Sequence, residues 1–273
     1  MKKTEAQGVA IPQLGFGTFR LQGEDCRPVV ERAIALGFRH IDTAAMYENE
    51  DAVGSAIPAS GIKRDKLFVT TKIWHDDLKP GAVRKAFDLS LSKLKLDYVD
   101  LYMVHWPSFE MDLPKVLEKM MSLLAEGRTR ALGVCNFNMR MMRQAVEEVR
   151  APIAALQIEY HPFLDQSRML EYVRRKGIPL VAYAPLAQGR AARDETLRII
   201  GKKHEATAAQ VAIAWLLDQR DVIAIPKAQK ESSQRSNLDA LRNKLDDEDR
   251  AAIAALPKDL RYVKPPFAPD WDA

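Results

Sequence analysis

Several things are scarce in this chain. It has only two cysteines, Cys26 and Cys135, among 273 residues, so neither a disulfide framework nor a cysteine-rich zinc site can be built, and a reducing compartment is the simple expectation. No run approaches the ~20 consecutive apolar residues of a membrane-spanning helix. The opening MKKTEAQGVAIPQLG has basic residues with no apolar stretch behind them, which argues against a secretory leader and predicts a cytoplasmic protein without a membrane partner. The formal charge is only +4 and the basic residues are interspersed with acids, so no nucleic-acid-binding surface is predicted. His40, His75, His161 and His204 show no ligand-pair spacing, and no metal is predicted. A glycine-rich dinucleotide turn is also missing. Gly15-Phe16-Gly17-Thr18-Phe19-Arg20 begins like one, but Arg20 stands where the third glycine belongs and no helix follows at once.

What is present is an alternation. Apolar strand-like runs at 14–18, 38–42, 67–72, 98–105, 130–135, 154–159, 179–184 and 222–226 are separated by helical stretches near 25–36, 48–57, 80–94, 114–126, 138–148, 167–176, 194–220 and 231–242. In 80–94, Val83, Phe87, Leu91 and Leu94 share one helical face, with Arg84, Lys85, Asp88 and Lys93 off it. Thr207 and Gln210 read as a capping box. Eight strand–helix units predict an α/β fold of the (β/α)8 TIM-barrel type; an open doubly wound sheet is the competing architecture. No linker divides residues 1–273, which are read as one barrel domain with a Pro-rich tail, 257–273, lying over the barrel mouth.

In such a barrel the active site lies at the C-terminal ends of the strands. The residues there are Asp42, Lys72, His105, Asn136, Gln157, Tyr183 and Lys227, with Tyr47 just beyond the second strand. Taken singly each has a bland reading: a helix cap, a scaffold ion pair, a structural histidine, a packed tyrosine. Taken together they do not, because burying a lysine, an aspartate and a histidine side by side is costly unless they pair, and clustered ionisable groups at one rim mark function.

A tyrosine titrates near ~10 and is a poor proton shuttle alone. An ammonium beside it favours the phenolate. Lys72 can supply that charge, Asp42 can hold Lys72 charged, and His105 can donate a hydrogen bond to a substrate carbonyl. This suits protonation of a developing alkoxide while hydride arrives at carbon. No side chain carries hydride, so a cofactor is required. Asn136 and Gln157 can bond a carboxamide, Tyr183 offers a stacking face, and Lys227, Lys230 and Arg235 follow the last strand, where barrels usually bind phosphate.

GFRHIDTAAMYENE, TTKIW, DLYMVHWP, LGVCNF, LQIEYHP and IPK…SNL, in that order, make the chain resemble the aldo-keto reductases over essentially its whole length, with compact loops and an ending APDWDA most similar to the bacterial 2,5-diketo-D-gluconate reductases. The resemblance implies a monomeric barrel that reduces aldehydes, ketones or keto-sugars with NADPH. It implies a catalytic tetrad of Asp42, Tyr47, Lys72 and His105, with Tyr47 as general acid. It implies nucleotide contacts at Asn136, Gln157, Tyr183, Leu186, Lys227, Lys230, Arg235 and Asn237, and an aromatic substrate wall of Phe19, Trp74, Trp106 and Trp271.

Three positions depart from the family pattern. Cys135 replaces the usual serine before Asn136. Ala228 replaces the serine after Lys227, and Ser233 an arginine six residues after that lysine; Lys230 and Arg235 are expected to compensate. Two other readings stay open at this stage: an aldolase forming a Schiff base at Lys72, and a nucleotide-binding barrel without catalysis.

Overall fold

Long apolar runs that alternate with amphipathic segments can satisfy their backbone only by pairing in parallel, with the helices covering the outer face. A computed structural model of the chain, describing residues 2–79 and 81–271, has that form. A short antiparallel hairpin, β1 (Lys3–Ala6) and β2 (Val9–Pro12), precedes eight parallel strands: β3 (Phe16–Gly17), β4 (His40–Asp42), β5 (Phe68–Ile73), β6 (Leu101–Val104), β7 (Leu132–Cys135), β8 (Ile153–Glu159), β9 (Leu180–Tyr183) and β10 (Val222–Ala224). The strands pair in sequence order, and the sheet closes where Leu14 bridges Ala224 in parallel. Across that seam the Gly15 N–H donates to the Ala224 carbonyl at 2.8 Å and the Gly17 N–H to the Pro226 carbonyl at 3.2 Å. A Cβ at Gly17 would come within 2.8 Å of the Ile225 carbonyl oxygen, and one at Gly15 within 2.8 Å of the His40 ring. These glycines therefore allow barrel closure, as the strand-and-turn reading of 15–20 expects.

The helices are α1 (Cys26–Leu36), α2 (Glu50–Ala59), α3 (Val83–Leu94), α4 (Leu113–Ala125), α5 (Met139–Arg143), α6 (Ser167–Arg175), α7 (Glu195–Lys203), α8 (Ala208–Asp218), α9 (Glu231–Asp239) and α10 (Asp247–Ala254). On α3, Val83, Phe87, Leu91 and Leu94 are buried, as the spacing predicts. The stretch 194–220 is two helices, not one. The Thr207–Gln210 capping box starts α8, and Glu205, at φ 52°, breaks the chain before it. The stretch 138–148 also changes character: α5 passes into a π-helical turn at Gln144–Glu148. Met1, Pro80, Asp272 and Ala273 lie outside the described residues, so the predicted start of 80–94 and the last two positions of the tail are not placed.

Two elements are absent from the sequence-based expectation. One is α10, opened by an Asp246–Asp249 capping box. The other is the hairpin, which turns through Gln7 and Gly8, both at positive φ, the geometry that matches strand twist in a two-residue loop. Its Ala6, Val9 and Ile11 form a buried cluster with Phe68 and Leu101, the first residues of β5 and β6, and with Ile223. The hairpin thus plugs the N-terminal end of the barrel and leaves the opposite rim for ligands. No helix among the described residues is long and apolar enough to cross a membrane.

Candidate active site

Several strand ends deliver a polar group to the open rim. Asp42 closes β4 and Lys72 lies one residue from the end of β5. The Lys72 ammonium is fully buried and donates to Asp42 Oδ1 at 2.5 Å, to the Thr43 carbonyl at 2.9 Å and to Tyr47 Oη at 3.5 Å. Gln157, from β8, donates its side-chain amide to the other oxygen, Asp42 Oδ2, at 2.8 Å. The Asp42 carboxylate is therefore held between an ammonium and an amide. Burial alone would drive a proton off Lys72, but the charge and hydrogen bond of Asp42 together with the neighbouring Tyr47 and Cys135 outweigh it, and the Lys72 pKa is raised.

Tyr47 sits on a single helical turn, Ala45–Tyr47, directly after β4. The sequence argument expects a net lowering of its pKa. The structure gives the opposite sign: burial raises it, Lys72 opposes burial without overcoming it, and the phenol is pushed up to about 12. The His105 ring lies edge-on to Tyr47, with centroids 5.3 Å apart. His105 is held well below the usual imidazole range by burial, then by Lys72 and His75, so it is neutral. Its Nδ1 is enclosed with no hydrogen-bond partner. A neutral imidazole offers one N–H, which can aim at a substrate oxygen.

Beside this group, Asn136 follows β7 in the left-handed region, φ 60°. Its amide donates to the His105 carbonyl at 2.9 Å, and its oxygen accepts from the Tyr183 hydroxyl at 2.8 Å. Asn136, Gln157 and Tyr183 are thereby wired into the same rim as the tetrad. Cys135 points elsewhere: its Sγ lies 3.8 Å from Met103 Sδ inside the barrel, and burial pushes the thiol pKa up. It packs as a small apolar residue.

After β10 the character changes. Leu186, Lys227, Ala228, Gln229, Lys230, Ser233 and Asn237 line an open cavity of about 570 Å³. Four of the nucleotide-contact candidates, Leu186, Lys227, Lys230 and Asn237, are brought together there. Arg235 is not among the lining residues; it turns to Glu231, one helical turn back on α9, at 2.7 Å. Asn237 is buried and its amide nitrogen has no partner, so the cavity wall holds an unused donor. Two lysines and a free amide suit a phosphorylated ligand.

The aromatic candidates gather over the tetrad. Phe19 is 44% exposed and lies 5.1 Å from the Tyr47 ring; Trp74 lies 5.3 Å from the His105 ring, and Trp106 lies 6.1 Å from Trp271. Sequence reading missed Phe267, whose ring meets Trp74 at 5.7 Å, His75 at 4.4 Å and Trp106 at 5.5 Å. It also missed Asn49, whose amide donates to the Thr18 and Leu21 carbonyls and whose oxygen accepts from Thr43. Asn49 pins the loop carrying Phe19 to the residue after Asp42. Its signal was a buried amide following MYE, too local a pattern to weigh alone.

Among the described residues, His204, Asp246 and Asp249 come within ligand-like reach of one another. Lys203 Nζ already sits among them, 2.5 Å from Asp246 and 3.0 Å from Asp249. The cluster is a lysine-neutralised ion network.

The chain is similar to known proteins over most of its length. A model of the "Aldo/keto reductase family" matches residues 13–258. The chain is 41% identical over 268 residues to methylglyoxal reductase DkgB of Escherichia coli O157:H7, covering 97% of this chain and 100% of that protein. It is 39% identical over 257 residues to glyoxal reductase of Bacillus subtilis (strain 168), covering 93% and 92%. A solved structure provisionally assigned as 2,5-diketo-D-gluconic acid reductase B superposes with TM-score 0.97 at 41% identity, covering 100% of this chain and 98% of that one.

Proposed function

The chain belongs to the aldo/keto reductase family and is an oxidoreductase, and on that premise we propose that it reduces small aldehydes and ketones to alcohols with NADPH. Methylglyoxal, aromatic aldehydes and 2,5-diketo-D-gluconate-type keto-sugars are the substrate classes. The observation that carries this reading is the buried line from Asp42 through Lys72 to Tyr47, at 2.5 and 3.5 Å, with a neutral imidazole against the tyrosine ring.

The dinucleotide, when bound, supplies the reducing equivalent. The chain does the rest. His105 donates its N–H to the substrate carbonyl and orients it, which favours the charge developing on oxygen. Tyr47 enters the reaction protonated, because its pKa lies far above neutral, and gives its proton to that oxygen as general acid. Lys72 stabilises the phenolate left behind, and Asp42 keeps Lys72 charged and aimed. Asn136 and Gln157 are the carboxamide contacts in this reading, with Tyr183 as the stacking face and its hydroxyl tied to Asn136. Lys227, Lys230 and Asn237 hold phosphate and adenosine groups, Leu186 packs against them, and Arg235 serves only by turning from Glu231. Phe19, Trp74 and Trp106, with Trp271 contributed by the tail, form the substrate wall. The protein works as a cytoplasmic monomer on a small-molecule carbonyl.

The aldolase alternative requires an uncharged Lys72 amine, and the ion pair with Asp42 opposes that. The non-catalytic alternative leaves the complete tetrad without a role. The test is steady-state oxidation of NADPH and of NADH with methylglyoxal, an aromatic aldehyde and 2,5-diketogluconate. Turnover preferring NADPH is expected. Measurable nucleotide binding with no turnover on any carbonyl would favour the non-catalytic barrel.

A further inference from the structure

The end of β8 carries a second buried carboxylate that reduction does not use. Glu159 is fully buried and lies two residues beyond Gln157, on the same side of the strand. Its Oε1 accepts from His161 Nε2 at 3.0 Å and from the Tyr262 N–H at 2.8 Å; its Oε2 accepts from the Val263 N–H at 2.9 Å. The Phe163 N–H donates to His161 Nδ1 at 3.3 Å, which leaves the ring proton on Nε2 to face Glu159. Three donors thus converge on one acceptor-only side chain. Burial works against the charge, but these bonds outweigh it and hold the carboxyl below its ordinary range.

Two of those donors belong to the tail. Upstream, the Asp165 N–H donates to the Lys258 carbonyl at 2.8 Å and the Leu260 N–H to the Phe163 carbonyl at 3.0 Å. Downstream, the Asn138 side chain donates to the Asp270 carbonyl at 2.8 Å. Between Val263 and Asp270 the strap crosses the rim and sets Phe267 on Trp74 and Trp106. Trp74 in turn touches the His105 ring. Only two ring contacts therefore separate the strap from the imidazole that faces the carbonyl.

We propose that Glu159 is a positioning residue that determines substrate preference: by fixing Tyr262 and Val263 at the rim, it holds Phe267 and Trp271 as the wall against which the bulk of a larger carbonyl substrate packs. This rests on the carbonyl-reductase reading above. Glutamine cannot replace the carboxylate, because its NH2 would confront one of the converging N–H groups and leave buried donors unsatisfied.

The test uses the full chain carrying Glu159→Gln, with amide hydrogen exchange and steady-state kinetics at saturating NADPH on methylglyoxal and benzaldehyde. Exchange across 258–271 is expected to quicken by about tenfold or more while the β5 and β8 amides keep their protection. KM for benzaldehyde is expected to rise about tenfold, with KM for methylglyoxal and both kcat values within about twofold. Phe267→Ala is expected to give the same split between substrates. If Glu159→Gln does not fold, Glu159→Asp keeps the charge at shorter reach and is expected to show the same split at smaller size. Unchanged strap exchange, or equal losses on both aldehydes, would overturn the proposal. A wild type inactive on both aldehydes would count against the reductase reading and the specificity role together; an active wild type with an undisturbed strap in the variant counts against the clamp alone.

Discussion

The two ends of the proposed nucleotide path are built differently. At the tetrad, Lys72 and Asp42 are buried and already bonded to each other, to Gln157 and to the Thr43 carbonyl. At the cavity after β10, Lys227 and Lys230 are exposed, Arg235 is tied to Glu231, and the one buried donor, Asn237, is unused. The first end is held by bonds within the chain itself. The second is a set of solvated charges that a ligand must recruit. Chemistry needs groups fixed to within fractions of an ångström, whereas phosphate binding tolerates cations that settle around the charge. Changes at the first end should therefore damage stability and turnover together, and changes at the second should alter affinity alone.

The largest effect is expected from Lys72→Met. It strands the Asp42 carboxylate in the barrel, so stability should fall by about 3–5 kcal/mol in urea unfolding, and turnover by ~10³-fold or more. Retention of most turnover would break the activated-tyrosine account and with it the contrast.

Next comes the pH dependence of stability. The folded pKa of His105 lies well below its unfolded value of ~6.5, so the unfolded chain binds the extra proton. The stability it permits is complete above about pH 6.5 and declines as pH falls below that, by up to ~1.4 kcal/mol per pH unit. His40, also lowered chiefly by burial, adds a slope of the same sign. His105→Gln should flatten the acid limb measured by urea unfolding between about pH 7 and pH 5; an unchanged slope would mean that His105 is charged in the fold.

At the nucleotide end, Lys227→Ala should raise KM for NADPH about five- to tenfold with kcat within about twofold, and the loss should shrink at high salt. The smallest effect belongs to Arg235→Ala, within about twofold on KM, because its guanidinium is engaged with Glu231 at an exposed site. If Arg235→Ala were the more damaging of the pair, ligand binding would have to swing Arg235 from Glu231 into the cavity.

The contrast also explains what could be read from the sequence. Strands of a parallel barrel are buried on both faces, so they appear as apolar runs, and a polar residue at the end of such a run advertises the rim. Asp42, Lys72, Asn136 and Gln157 were legible for that reason, and the strand order followed from the alternation. The hairpin was not legible, because KTEA and VAIP are too short and mixed to show a period. The break between α7 and α8 was signalled by the Thr207–Gln210 capping box, although the apolar residues on both sides of it let 194–220 read as one stretch. Phe267 and Glu159 were missed because their contacts are remote in sequence: Glu159 meets Tyr262 across 103 residues. A charged residue closing the run LQIE was the available signal. The direction of the Tyr47 shift was out of reach as well, since neighbouring charges can be inferred from spacing but the degree of burial cannot.

The central claim is that Tyr47 delivers the proton from a site built independently of nucleotide binding. It is tested most directly by Tyr47→Phe, comparing kcat for methylglyoxal reduction with NADPH affinity measured by quenching of protein fluorescence. The account predicts that kcat falls by ~10²–10⁴-fold while the dissociation constant stays within about twofold. Near-normal turnover, or a loss of nucleotide affinity as large as the loss of turnover, would contradict it.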